Sequence, residues 1–130
     1  MQALTDDEKI ALAAMVMSVL DGWGVPANQQ IVLLDLPEDT KNRSLRKYRE
    51  NTPLPDSVET QKRIEHILGI SSALRTTYPT NSQMGSIWLK QLHRRLGQRT
   101  PIQIMIEDGV DGLISIRAHL DCTFAWSIAQ

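Results

Sequence analysis

Few side chains in this chain stand at spacings that chemistry could use, and cations outnumber the rest. Lys41, Arg43, Arg46, Lys47 and Arg49 fall within nine positions that hold no acid. Cationic donors in such a run suit phosphate, and an Arg or Asn can fork onto base edges in a major groove. A second cluster, Lys90, His93, Arg94, Arg95 and Arg99, offers guanidinium forks that fit carboxylate or phosphate equally well. His119 and Cys122 stand three apart, a separation at which one helix face can offer two metal ligands. They have no second cysteine and, apart from Asp121, no nearby carboxylate, so a structural zinc is not the reading. His66 and His93 are isolated. Asp6-Asp7-Glu8 and Glu107-Asp108 read as acids at helix ends, where they offset the backbone dipole or cap it. No phosphate-cradling glycine loop and no nucleophile motif occurs. The predicted chemistry is binding: no catalytic site, no metal, no cofactor and no small-molecule substrate.

The bulk properties agree. The chain has 130 residues, 42% hydrophobic and 22% charged, which is enough for one modest core or two small subdomains. Its formal net charge of -1 gives no global pull toward nucleic acid, so any such affinity must be local. One cysteine forbids an internal disulfide and fits a reducing cytoplasm. The apolar run Ile10 to Leu20 follows Asp6, Asp7 and Glu8 in place of basic residues and is too short to cross a bilayer. A soluble cytoplasmic protein without a membrane partner is expected.

The elements that must hold these residues read as helices throughout, and the predicted fold is all-α. Thr5 and Glu8 form a capping box for a first helix ending at Gly22. Pro26 opens a second to about Leu34, and Leu36-Pro37 breaks it. A third spans roughly Asp39 to Glu50, after a tight turn that would complete a helix-turn-helix. Asn51-Thr52-Pro53-Leu54-Pro55 is the clearest linker, since its prolines forbid helix. Asp56 and Glu59 should cap a fourth helix that ends at Gly69, and Leu74 to Tyr78 suit a short fifth. Met84 to Leu92, Pro101 to Glu107 and Gly112 to about Trp126 complete the set. Thr100 can cap Pro101 to Glu107, with Pro101 at the first position and Gly109 at the left-handed stop. Two subdomains follow, 1–55 and 56–130.

Within the third helix, Leu45 and Tyr48 should face inward. A turn of 100° per residue then puts Thr40, Arg43, Ser44 and Lys47 outward with Arg46 at the edge. Ten of the eleven residues from Ile10 to Leu20 are apolar, so that helix should be covered on nearly all sides, by its own core or by a second copy. In the last helix Leu113, Ile116, Leu120 and Phe124 make a core stripe, Ile114 points the other way, and Trp126 and Ile128 lie off the stripe.

Trp88-Leu89-Lys90, Arg99-Thr100-Pro101, Glu107-Asp108-Gly109 and Ile116-Arg117-Ala118-His119-Leu120-Asp121 together resemble the toxin-binding domain of the Xre/MbcA/ParS antitoxins. Arg63-Ile64, Ile67-Leu68-Gly69-Ile70, Ala73-Leu74-Arg75 and Tyr78-Pro79 resemble that family's link to its DNA-binding half. Trp23 with Val32-Leu33-Leu34-Asp35-Leu36-Pro37 resembles the helix-turn-helix half, although Asp35 stands where the family turns with Gly and the stretch after it is longer. The likeness covers roughly residues 20 to 122. It implies an antitoxin of a type II toxin-antitoxin system that neutralises a RES-domain toxin, an enzyme acting on NAD, and represses its own operon as a homodimer. DNA contact would fall to Thr40, Lys41, Asn42, Arg43, Ser44, Arg46, Lys47 and Arg49. Toxin contact would fall to Arg94, Arg95, Arg99, Phe124, Trp126, Ile128 and Gln130. A stand-alone helix-turn-helix transcription regulator without a toxin is the alternative.

Overall fold

Thr5 caps the first helix. Its hydroxyl accepts the Glu8 N–H at 3.2 Å, and its own N–H donates to the Glu8 carboxylate at 2.9 Å, so two orphan donors of the first turn are satisfied reciprocally. The computed structural model describes residues 4–129, with the side chains of all but Ser82 and residues 122–129. Among the described residues the fold is all-α, seven α-helices with two short 3-10 turns and one isolated bridge. No described helix is long and apolar enough to cross a membrane.

The chain divides into two compact units, the first ending at Ile64 and the second beginning at Glu65. That boundary lies inside a helix, nine residues beyond the proline linker expected to mark it. In the first unit, α1 (Asp6–Gly22) buries Ala13, Val16, Met17 and Leu20, one stripe at helical spacing. The other side is not covered: Met15 is 55% exposed. A chain so apolar all round was expected to be enclosed, yet most of its surplus is alanine and half-buried valine or leucine, which solvent tolerates singly. α1 ends at Gly22 as expected, although the left-handed residue that closes it is Gly24 (φ 73°), with Val25 N–H returning to the Leu20 carbonyl at 3.1 Å.

Pro26 caps α2 (Ala27–Leu33) with its carbonyl, which accepts the N–H groups of Gln29 and Gln30. Asp35 closes that helix at φ 55°, and Leu36 N–H returns to Ile31 O at 3.1 Å. Aspartate thus takes the left-handed place where glycine would be easiest, as its short polar side chain permits.

The connection from there is not tight. Eight residues, Leu34 to Lys41, separate α2 from the next helical turn, where three or four would make a helix-turn-helix corner. The expected single helix over 39–50 is a 3-10 turn (Asn42–Leu45) running into a short α3 (Arg46–Glu50). Thr40 N–H is spent on Pro37 O, which makes a turn of the stretch where the helix should have begun. α1 packs on α3, whose Tyr48 is buried, as is Leu45 at the end of the 3-10 turn before it.

α4 (Val58–Thr77) is one helix where two were expected. Its cap is Ser57, whose hydroxyl accepts the Thr60 N–H; Glu59 pairs instead with Arg63 at 3.1 Å. Its first turns belong to the first unit because Thr60 donates to Leu34 O at 2.9 Å and Arg63 to Val32 O at 2.9 Å, satisfying the last carbonyls of α2. Gly69 does not stop it. The missing Cβ makes room for the Arg117 guanidinium, which lies where that methyl would be.

In the second unit, α5 (Ser82–Lys90) is capped by Asn81, and α6 (Pro101–Glu107) has the expected bounds and cap. Thr100 and Gln103 form a second reciprocal box, at 2.8 and 3.1 Å. α7 (Gly109–Ala129) starts three residues earlier than expected, directly at the left-handed Gly109 (φ 64°). The corner is closed by Gly112, where any side chain would overlap the Ile104 carbonyl oxygen. The core here includes Ile67, Ile70, Leu89, Met105, Leu113, Ile116 and Leu120; Ile114 is exposed as expected.

Candidate binding surfaces

The cationic run of the first unit is only partly available. Arg49 is held by Asp21 through two bonds of 2.8 and 2.9 Å and also donates to Gln30 Oε1 at 3.1 Å. Gln30, 1% exposed, donates in turn to Asp21 at 2.8 Å and to Val25 O at 3.0 Å. This network ties the ends of α1, α2 and α3 together. The Arg49 guanidinium holds the Asp21 carboxyl below its ordinary range, and Asp21 raises Arg49 in return. The expectation that Arg49 reaches for DNA therefore meets a competing internal use. A 28-residue separation hides that use from any local pattern. Arg46 pairs with Glu50 at 2.7 Å on an exposed surface, where water screens the pair and little stability comes of it.

Lys41, Asn42, Arg43 and Lys47 are exposed, and Thr40 and Ser44 are half-buried. Lys47 Nζ lies 5.1 Å from the Tyr48 ring centroid. No described carboxylate pairs with Lys41, Arg43 or Lys47. Lys41, Arg43 and Lys47 are thus the cations this edge can offer to phosphate. Set on a short helical segment behind an eight-residue connection, they fit phosphate contact better than base reading.

The second unit treats its cluster differently. Gln91 and His93 have extended backbones, so alternate side chains between them point oppositely. His93 turns inward, its ring centroid 4.9 Å from that of Trp88 and its Nε2 3.0 Å from the Trp88 carbonyl oxygen. Leu92 turns outward and is 68% exposed. Trp88, expected as a core anchor, is half-buried between two imidazoles; His119 stacks on it at 5.8 Å. Burial, then the charges of His93 and Arg95, push the His119 imidazole below its ordinary value.

Past His93 the chain makes a 3-10 turn (Arg94–Leu96). It reverses through left-handed Gly97 and Gln98 and bridges back at Arg99. Arg99 is not a contact in waiting. It forks onto Asp108 at 2.9 and 3.1 Å with Glu107 at 3.8 Å, pinning the loop to the end of α6 and holding the Asp108 carboxyl low. Arg94 and Arg95 are exposed, and no described carboxylate pairs with either. The side chains of Phe124, Trp126 and Ile128, and all of Gln130, lie outside the described residues, as does the side chain of Cys122.

Two grooves lie among the described residues. One of about 260 Å³, in the first unit, is lined by Leu4, Leu12, Leu54, Ile64, Lys9 and Asp56 among others. One of about 270 Å³, in the second, runs beside Arg117 with Ser72, Thr76 and Asp121. Arg117 Nη1 lies 3.3 Å from His66 Nδ1, so a residue that looked isolated in the sequence has a neighbour fifty-one positions away.

No family model, curated protein or solved structure matches this chain. The geometry of the two cationic surfaces has to carry the functional reading.

Proposed function

We propose that this chain is an antitoxin of the Xre/MbcA/ParS type. It neutralises a RES-domain toxin by direct binding through the second unit and represses its own operon through the first, acting in the cytoplasm as a homodimer and without catalysis or cofactor of its own. The observation that carries this reading is that the exposed cations each unit leaves un-neutralised by the described chain include a pair close in sequence: Arg43 with Lys47, beside Lys41, and Arg94 with Arg95, beside Lys90. Exposed guanidinium and ammonium groups kept clear of internal acids suit anionic macromolecules. Two such pairs on two compact units suit two partners. The resemblance assigns the partners, toxin to the later residues and operator DNA to the earlier.

Arg43→Glu with Lys47→Glu should abolish operator binding in a gel-shift titration while toxin capture persists, since both residues are exposed and outside the core. Removing the chain after Thr123 should restore toxicity and spare operator binding. Cells that carry the toxin and tolerate the truncation would refute the capping role. The stand-alone transcription regulator is favoured by one observation, that Arg43 and Lys47 are un-neutralised whatever the second unit does. It is the reading to adopt if no neighbouring enzyme is captured.

A further inference from the structure

From His66 to Ile106 the chain contains no Asp or Glu, while Arg75, Lys90, Arg94, Arg95 and Arg99 all fall in that interval. Among the described residues, only Arg99 of these has its charge answered by an acid, and its partners Glu107 and Asp108 lie just beyond the interval. The pairing also shapes the loop. With Arg99 fixed to Asp108, His93 turned under Trp88, and Gly97 and Gln98 left-handed, the segment between them is a pinned turn. A pinned loop loses little conformational freedom when something docks on it. Leu92, immediately before the turn, is among the most exposed large apolar residues described, and it lies between the extended backbones of Gln91 and His93. An exposed leucine beside two un-neutralised arginines is unlike a phosphate track, which has no use for the leucine. It has the composition of a small protein interface, with an apolar contact inside a charged rim.

We propose that the loop from Leu92 to Arg95 is a docking surface for an acidic segment of a partner protein, whose carboxylates pair with Arg94 and Arg95 while an apolar side chain covers Leu92. This deepens the reading above by giving the chemistry of the protein partner. It rests on that reading only for the choice of a protein. His119 and His93 stand behind the same loop, and the charge of Arg95 already bears on His119. A carboxylate brought to Arg95 would relieve that charge.

The full chain is titrated, with fluorescence anisotropy as readout, against a short labelled peptide rich in Glu with a single Leu. Comparison probes replace each Glu by Gln, replace the Leu by Ser, or substitute a single-stranded DNA of equal charge. The acidic peptide should bind saturably, and the Gln peptide at least about tenfold more weakly. Arg94→Glu with Arg95→Glu should remove binding, whereas Arg43→Glu with Lys47→Glu should leave it unchanged. Leu92→Ser should weaken the Leu peptide about threefold or more and leave the Ser peptide unaffected, the coupling expected of two groups in contact. All three loop residues are exposed, so unchanged thermal melting of the variants certifies their fold. The proposal is overturned if reversal at Arg94 and Arg95 has no effect, if Leu92→Ser shows no coupling, or if the DNA outcompetes the peptide. Should peptide binding fail while the chain still neutralises a toxin, this inference falls and the antitoxin reading stands.

Discussion

The runs at 41–49 and 90–99 look alike as letters, each a handful of cations without an acid, and they differ in what the fold does with them. In the first unit the last arginine is drawn inward: Arg49 is consumed by Asp21 and Gln30, and Arg46 by Glu50. In the second, one arginine is spent to hold the loop so that two others remain outside, with Arg99 on Asp108 and Arg94 and Arg95 exposed. The lesson is that cation density is a poor guide to binding until internal acids have been subtracted. Those acids come from far along the chain in one unit and from the next helix in the other.

The contrast can be broken hardest at the scaffold under the second loop. Gly112→Ala would push a methyl into the Ile104 carbonyl at the α6–α7 corner that holds Asp108. The overlap should outweigh the gain in helix propensity, for a net loss of about 2 kcal/mol in urea denaturation. In the first unit, Asp21→Ala leaves Arg49 without its carboxylate and Gln30 with one acceptor fewer. About 1–2 kcal/mol should be lost, less than for an enclosed pair because both partners are partly solvated.

Acid should separate the two regions. The His119 imidazole titrates below its ordinary 6.5, so the unfolded chain takes up that proton first. The stability contributed by the neutral ring is therefore complete above pH 6.5 and is lost as the pH falls below it. The Asp21 contribution, by the same sign rule for a lowered carboxyl, is complete above its ordinary 3.8 and disappears only in stronger acid. An NMR titration of the imidazole resonances should give His119 the lower midpoint relative to a free-histidine reference; a midpoint above 6.5 would contradict the packing against Trp88. The smallest effect should come from Arg46→Ala, whose urea midpoint should be indistinguishable from the parent's, because a solvent-exposed i, i+4 pair contributes little.

How much was legible beforehand follows a physical line. The Thr5–Glu8 capping box and the Thr100 cap could be read because each is built within four residues, although Gln103 as the reciprocal partner of Thr100 was not. The all-helical class followed from apolar periodicity over long stretches. What was lost is what distant residues decide. Gly69 resembled a helix end and is a notch for Arg117, forty-eight positions on. The domain boundary moved from the prolines to Ile64 because Thr60 and Arg63 bond back to the end of α2. The helix expected from Asp39 was cut short by a local competitor, the Thr40 turn on Pro37. At the candidate surfaces, exposure of Arg43, Lys47, Arg94 and Arg95 could be anticipated from periodicity and polarity. The internal duties of Arg49 and Arg99 could not, and neither could the outward turn of Leu92.

The most direct test is a hydrogen-exchange footprint of the chain with and without the RES-domain toxin proposed as its partner. The account expects slowed exchange across the backbone amides of Leu92 to Gln98, with Asn42 to Glu50 unchanged until operator DNA is added. Protection confined to Asn42–Glu50, or no protection on mixing with that enzyme, would contradict it.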